Sequence, residues 1–541
     1  MTTAAPKRRP LGSYLELPPI PEVHPPAWFD RYPRRLTTAA IVLGLVLVSA
    51  VLRTRQLTGQ LWFDEAGAVG IASHTLSQLP GVVRHNGGAP LYYALLHIWI
   101  QVFGASERAT HAFTVLCALL TIPAGYWAGW SFSGRRAGIF AAILFAFSAY
   151  VTKYAQETAP YALLVLLAIL TLTGFVQAFV HRRRRYLWLF TIGLTLMMYT
   201  QGSAGFFAFG AFVAFGVVYR VAEDRRGLPR DAAIGFGAAF VLFVPWLPAT
   251  IDEIAHATAP WHYAPLLGAD VPADLMGGER VNVTLLVAVL IGAVSLLTAE
   301  RRRTPGAITL WVLVALPASG LLLARIASLA GTTWVSRYFG PLTVALLLLG
   351  AVGAARARVA GVVAIVLCVG FLGNPGSYTP TFKSDMRDLA GEMGPRLHPG
   401  DLVVSAQPEQ TPLAWYYLPG GVTFANTVGR VSDPTYMNWR DAQARLQDAN
   451  PATTLGPLVA SLKPGQQLLF VRPLTEGVSN WKQPWTKLVR RRAAQWGQIL
   501  TNDVAGGTLK PIAWAPHNYR SACCVANSAT LYEKASEDTR R

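Results

Sequence analysis

The chain has 541 residues, of which 52% are hydrophobic and only 14% charged, with a mean hydropathy of +0.34. Soluble domains carry roughly a quarter charged residues, so this composition argues against a purely soluble protein, and the apolar content excludes disorder. The formal charge of +18 suggests a nucleic-acid binder. However, the basic residues sit in short clusters between long apolar runs, the pattern of a polytopic membrane protein.

In chain order, residues 1–35 form a basic, proline-rich tail that reads as cytoplasmic. Leu36–Leu52 reads as a signal anchor, because it lacks a small-residue cleavage site and is followed by Arg53 and Arg55. A helix across a bilayer needs roughly 20 apolar residues. Ten more runs qualify with soft boundaries: His111–Ser131, Ala137–Val151, Pro160–Val180, Leu187–Thr200, Ser203–Tyr219, Ala232–Pro248, Val283–Leu297, Ala307–Leu323, Tyr338–Val352 and Val359–Leu372. The run Pro90–Phe103 is read as a helix on the outer face. Counting it as a span would put the cluster Arg182 to Arg185 outside, against the positive-inside rule.

After Leu372 the apolar runs stop, and short strand-like stretches alternate with helix-like ones. The strand-like stretches are Leu402–Ser405, Val422–Phe424, Gln467–Val471 and Ala529–Tyr532. The helix-like ones are Ser384–Met393, Pro412–Leu418, Arg440–Asp448 and Lys487–Leu500. The expected fold class is therefore a polytopic α-helical membrane protein of about eleven spans with a C-terminal extracytoplasmic α/β domain. Its parts are the tail, a membrane domain over 36–374 with an outer loop over 53–110, and the soluble domain over 375–541.

The spans hold almost no ionisable residue near mid-bilayer, which weakens a transporter or channel reading. Acidic and polar residues gather instead at the predicted outer ends of spans. Asp64 and Glu65 follow Trp62-Phe63, and start either a site or a capped surface helix. Lys153, Tyr154, Gln156, Glu157 and Pro160-Tyr161 close the third span, where Lys and Tyr also suit an interface. Arg337-Tyr338 opens the tenth; an arginine there is either an anchor or a two-pronged ligand for phosphate. His85 stands in a Gly- and Pro-rich turn, where a lone histidine is more often structural. No Walker loop, dinucleotide fingerprint or Gly-x-Ser-x-Gly elbow is present, and no His or Cys spacing suits a metal. Cys117 and Cys368 read as small core residues. For the adjacent Cys523 and Cys524, neighbouring thiols and a vicinal disulfide both stay open.

Taken together, these clusters resemble the GT-C fold glycosyltransferases of the family-39-like group, which includes protein O-mannosyltransferases, lipid A aminoarabinose transferases and actinobacterial homologues. The resemblance covers most of residues 36–350. It rests on Leu61 to Ala66, Pro90 to Tyr93 leading to Phe103-Gly104 and Ser106-Glu107, Tyr154 to Glu157 with Pro160-Tyr161, Pro245 to Pro248, and Arg337-Tyr338. The chain departs from the family at His111, where Arg is frequent, at Thr158-Ala159, at Gln201, and at the turn Gly88-Ala89-Pro90.

The resemblance implies a polyprenyl-phosphate sugar donor used at the outer face of the cytoplasmic membrane. Asp64 then matches the first acidic motif and serves as general base, and Glu157 matches the second. Glu65 and Glu157 orient the acceptor or, with Asp64, hold a divalent cation such as Mg or Mn. Arg337 binds the donor phosphate, helped by Lys153 and Tyr338, and His85, Tyr92, Tyr154, Tyr161 and His262 contact substrate. The implied sugar is mannose, with arabinofuranose or aminoarabinose as alternatives, and the acceptor a glycan, lipoglycan or protein; nucleic acid is not expected as a partner. A non-catalytic lipid handler, scaffold or transporter on the same fold is the rival of another class.

Overall fold

The computed structural model describes residues 34–256, 275–294, 303–329, 334–372, 383–474, 484–516 and 526–536. His262, Trp481, Cys523 and Cys524 lie outside them.

Among the described residues, seven helices are long and apolar enough to cross a membrane. Shorter apolar helices, including Leu187–Thr200, Glu279–Val294 and Arg358–Leu372, pack among them. One of the seven, Glu107–Phe147, is 41 residues long but breaks at Ser133 and Gly134, where Gly134 has φ +83°. The halves fold back on each other along a seam of small residues. A β-carbon on Gly129 would stand 2.5 Å from the Ala137 carbonyl, and one on Gly138 would stand 2.8 Å from that of Tyr126. Two runs separated in the sequence reading thus form a hairpin packed through glycine, as helices in lipid do when backbones must approach closely.

The arginine clusters meet at this turn. Arg135 donates to Thr38 Oγ1 at 2.7 Å and Arg136 to the Arg358 carbonyl. Arg183 bonds Gln177, which in turn reaches the Ser131 carbonyl. The acidic residues 64, 65 and 157 lie at the opposite ends of these helices. Pro90–Phe103 belongs to that acidic end: Tyr92 and Leu96 are buried, while Ile98, Val102 and Phe103 are exposed. Two bonds tie it there, His97 Nδ1 to the Ala72 carbonyl (2.9 Å) and Trp99 Nε1 to the Ala109 carbonyl (2.7 Å).

The soluble part is a six-stranded mixed sheet. Its strands are β1 (Leu402–Ser405), β2 (Thr423–Asn426), β3 (Gly429–Val431), β4 (Gln467–Pro473), β5 (Leu509–Ala515) and β6 (Asn527–Lys534), in the order β3-β2-β1-β4-β6-β5. β1 runs parallel to β2 and β4, and the remaining pairs are antiparallel. Side chains alternate between faces. Leu402, Val404, Leu468 and Phe470 pack under the helices Pro451–Ala460 and Pro484–Ala505. Val403, Leu469 and Val471 face the other way, into a core shared with Met386–Met393, Thr411–Tyr417 and Leu61, Ala66 and Val69 from the membrane part. Two elements escape the sequence reading because proline interrupts their pattern. Pro451 begins a helix whose Asn450 side chain accepts from Ala452 N–H, and Pro511 sits at the register irregularity of edge strand β5.

Candidate active site

The helix Phe63–Ala72, here the acid helix, begins where Trp62 turns extended. Glu65 reaches back so that its Oε2 accepts from the Trp62 N–H at 3.1 Å. Glu65 thus caps the helix as the sequence allowed, but on a buried helix and not an amphipathic surface one. Its Oε1 accepts from Lys383 Nζ, His111 Nε2 and the Thr158 N–H, each at 2.8 Å, and the side chain is fully buried. Burial pushes the carboxyl up, but Lys383 and His111 outweigh it and hold it at about 2. Both of its oxygens are engaged within the protein. It is a positioning residue joining the acid helix to His111, to the loop carrying Glu157, and to the first described residue of the soluble part.

Asp64, next in line, points the other way. Its Oδ2 meets Arg337 Nη1 at 2.9 Å, and 37% of the side chain is exposed. Desolvation raises its carboxyl, while the Arg337 charge and hydrogen bond oppose that rise. The sequence reading treated base and phosphate ligand as separate groups; here they form one ion pair. Arg337 keeps unused capacity, because its Nε is buried without a hydrogen-bond partner. Its guanidinium lies 5.3 Å from the centre of the Tyr338 ring, and its carbonyl accepts from Tyr150 at 2.8 Å.

The Glu157 carboxyl makes no hydrogen bond or ion pair with a described residue, although the Glu157 carbonyl accepts from the Ala159 N–H at 2.8 Å and both neighbouring residues are fastened. Gln156 bonds the Leu52 carbonyl and gives its own carbonyl to Lys383, and Thr158 is bound to Glu65. Burial raises Glu157 to about 7, partly countered by Lys383, with Glu65 adding repulsion. It is thus a carboxyl with unengaged oxygens within electrostatic reach of Arg337.

Tyr154 stands between Tyr150 (4.5 Å) and Tyr161 (4.8 Å), forming a buried aromatic wall under Arg337. Tyr92 is fully buried, and its hydroxyl has no partner. Lys153 is exposed, over the Tyr154 ring at 5.3 Å. His85 does not join the cluster. Its ring is exposed and bonds Gly81 of its own helix at 2.8 Å, and its carbonyl accepts from Trp439 of the soluble part.

Among the described residues no group of three or more His, Cys, Asp or Glu converges as metal ligands. Asp64 and Glu157 are the carboxylates that would hold a divalent cation, and Asp64 is paired with Arg337. Lys383 escapes sequence reading entirely. His111 was visible only as a departure from the family pattern.

A helical membrane bundle with a sheet domain docked over the end that carries Asp64 and Glu65 is the GT-C fold, the fold of a class of membrane glycosyltransferases. The structure is similar to ArnT from Cupriavidus metallidurans bound to undecaprenyl phosphate, with a TM-score of 0.56 and 13% identity over 92% of this chain and 97% of that one. It is also similar to the archaeal oligosaccharyltransferase AglB from Archaeoglobus fulgidus in complex with an inhibitory peptide and a dolichol-phosphate, with a TM-score of 0.52 and 12% identity over 83% of this chain and 70% of that one. Within the chain, residues 87–248 match the dolichyl-phosphate-mannose-protein mannosyltransferase family model. No curated protein matches the sequence.

Proposed function

We propose that the protein transfers a sugar, mannose by the name of the matched family, from a polyprenyl phosphate to a cell-envelope acceptor at the outer face of the cytoplasmic membrane. The observation that carries this reading is the Asp64–Arg337 pair, a solvent-reached carboxylate joined to a guanidinium with a spare donor. The fold's likeness to a structure holding undecaprenyl phosphate supports a lipid-phosphate donor. The arginine clusters at the far end of the bundle support an outward-facing acidic end.

In this mechanism Arg337 exchanges Asp64 for the donor phosphate, offering two parallel N–H groups to its oxygens. Asp64, released from its partner and already raised by burial, accepts the proton of the acceptor hydroxyl. The acceptor oxygen bonds to the anomeric carbon as the bond from that carbon to the phosphate oxygen breaks. The polyprenyl phosphate leaves with the electron pair, stabilised by Arg337, and the anomeric configuration inverts. Glu157, with unengaged oxygens, orients the acceptor. Exposed Lys153 lends positive charge at the rim.

The test is transfer in membranes from a panel of polyprenyl-phosphate sugars, with linkage analysis of the product. Asp64→Asn should abolish transfer while the protein accumulates normally. Wild-type turnover by that variant removes Asp64 from the mechanism. Use of an arabinofuranosyl donor in place of the mannosyl one corrects the sugar and leaves the mechanism intact.

A further inference from the structure

The soluble part carries its own concentration of buried polar atoms on the side facing the acid helix. Val403 of β1 packs into the core shared with Leu61, Ala66 and Val69, so Ser405, two positions on, lies on the same face. β1 then ends in a short helical turn, Pro408–Gln410, which packs against the acid helix. The crevice beyond the carboxyl ends of parallel strands is where open α/β sheets commonly bind ligands.

Between residues 405 and 411, five side-chain oxygens are buried without a hydrogen-bond partner: Ser405 Oγ, Gln407 Oε1, Glu409 Oε2, Gln410 Oε1 and Thr411 Oγ1. None of these residues is more than 3% exposed. Folded proteins carry only a few such atoms per hundred residues, so five in one turn require an explanation. The rest of the cluster is firmly held. Glu409 Oε1 accepts from Gln407 Nε2 at 2.8 Å and from Trp485 Nε1 at 2.9 Å. The first bond fixes the Gln407 amide so that its oxygen is the atom left over. Burial raises the Glu409 carboxyl to about 7 against those two bonds, and the Asp64 charge adds to the rise.

All five orphaned atoms can accept, and the two hydroxyls, with Glu409 Oε2 when its carboxyl is protonated, can also donate. A matching ligand is therefore dense in O–H donors and carries no negative charge. A phosphate brings acceptors to acceptors, and a cation finds a single carboxylate. Vicinal hydroxyls of a sugar satisfy the set. We infer that residues 405–411 form a carbohydrate-binding subsite beside Asp64, which takes adjacent hydroxyls of a glycan. That the glycan is the acceptor rests on the transfer reading above; sugar binding itself does not.

The experiment uses the full chain in nanodiscs without donor, and methyl glycosides of mannose, galactose and arabinofuranose as probes, followed by saturation-transfer NMR. At least one glycoside should bind in the millimolar range. Glu409→Gln, which keeps shape, and Gln410→Ala should each weaken it by about fivefold or more, the cost of one hydrogen bond. Thermal unfolding of each variant checks that the fold survives. Binding should persist in Asp64→Asn. If that variant transfers normally while glycosides still bind here, the transfer mechanism fails and this subsite stands. Three outcomes overturn the subsite: no glycoside binding, which leaves structural water as the occupant; binding equal in wild type and variants; or Glu409-dependent stabilisation by calcium without glycoside binding.

Discussion

Lys383 Nζ lies 2.8 Å from Oε1 of Glu65, 318 residues earlier in the chain, and neither side chain is more than 6% exposed. A buried pair of this kind adds little over an apolar pair, but breaking it from one side is costly, about 3–5 kcal/mol. Lys383→Met leaves Glu65 with His111 and the Trp62 and Thr158 N–H groups but without its lysine. We expect a marked fall in the unfolding temperature and loss of transfer. The double variant Lys383→Met, Glu65→Gln should regain part of the stability, measured as a double-mutant cycle.

The same pair sets an acid limit. The folded value of Glu65 is depressed to about 2 from 4.5. Its stabilisation is therefore fully present above about 4.5 and is lost as pH falls towards 2, and it amounts to about 3 kcal/mol. Unfolding midpoints followed from pH 5 to pH 2 should fall more steeply in wild type than in Glu65→Gln.

Glu157 has the opposite sign. Its folded value is raised to about 7, so its contribution to stability is present below 4.5 and lost as pH rises through 7. The charged groups around it are Lys383, Glu65, Lys153 and Arg337. If its carboxylate orients the acceptor, transfer should rise through an inflection near pH 7, and Glu157→Gln should remove that inflection. An unchanged pH–rate profile in the variant assigns the inflection elsewhere.

Arg337→Ala removes both the phosphate ligand and the cation opposing the burial of Asp64. Donor KM should rise by roughly tenfold or more for a lost charged contact. The activity optimum should also move to higher pH, because Asp64 then holds its proton more tightly. A change in acceptor KM alone contradicts the role given to this residue.

Gly70 marks how tightly the two parts meet. A β-carbon there would fall 1.9 Å from the Thr435 carbonyl, whereas one on Gly67 of the same helix meets nothing within 4 Å. Gly70→Ala should displace the soluble part, lowering activity and the unfolding temperature. Gly67→Ala should be neutral or stabilising by up to about 1 kcal/mol.

Much of this was legible in the chain. The glycine and arginine turn at 133–136 divides two apolar runs, and the strands Leu402–Ser405 and Gln467–Pro473 announce themselves by apolar runs bounded by turns. Asp64, Glu157 and Arg337 stood out as polar residues at the ends of spans, and the first and third meet as an ion pair. The role of Glu65 was not legible, because Asp64 and Glu65 are chemically alike and adjacent, and only the 100° step of the helix sends one to the opening and the other into the core. Lys383 could not be found, since nothing local distinguishes it from any lysine after a final span. The Glu409 turn was hidden for a similar reason: partnerless atoms are a property of packing, not of composition.

The shared core of Leu61, Ala66 and Val69 with Val403 and Leu469 has a consequence for biosynthesis. The acid helix leaves the ribosome early, and Ala68, Ile71 and Ala72 find cover in the membrane part, yet Ala66 and Val69 do so only when the sheet has been made and has folded. Until then Glu65 has no lysine, and Asp64 sits on a helix without a roof. A product terminated before Lys383 should therefore be a substrate for proteases and catalytically silent.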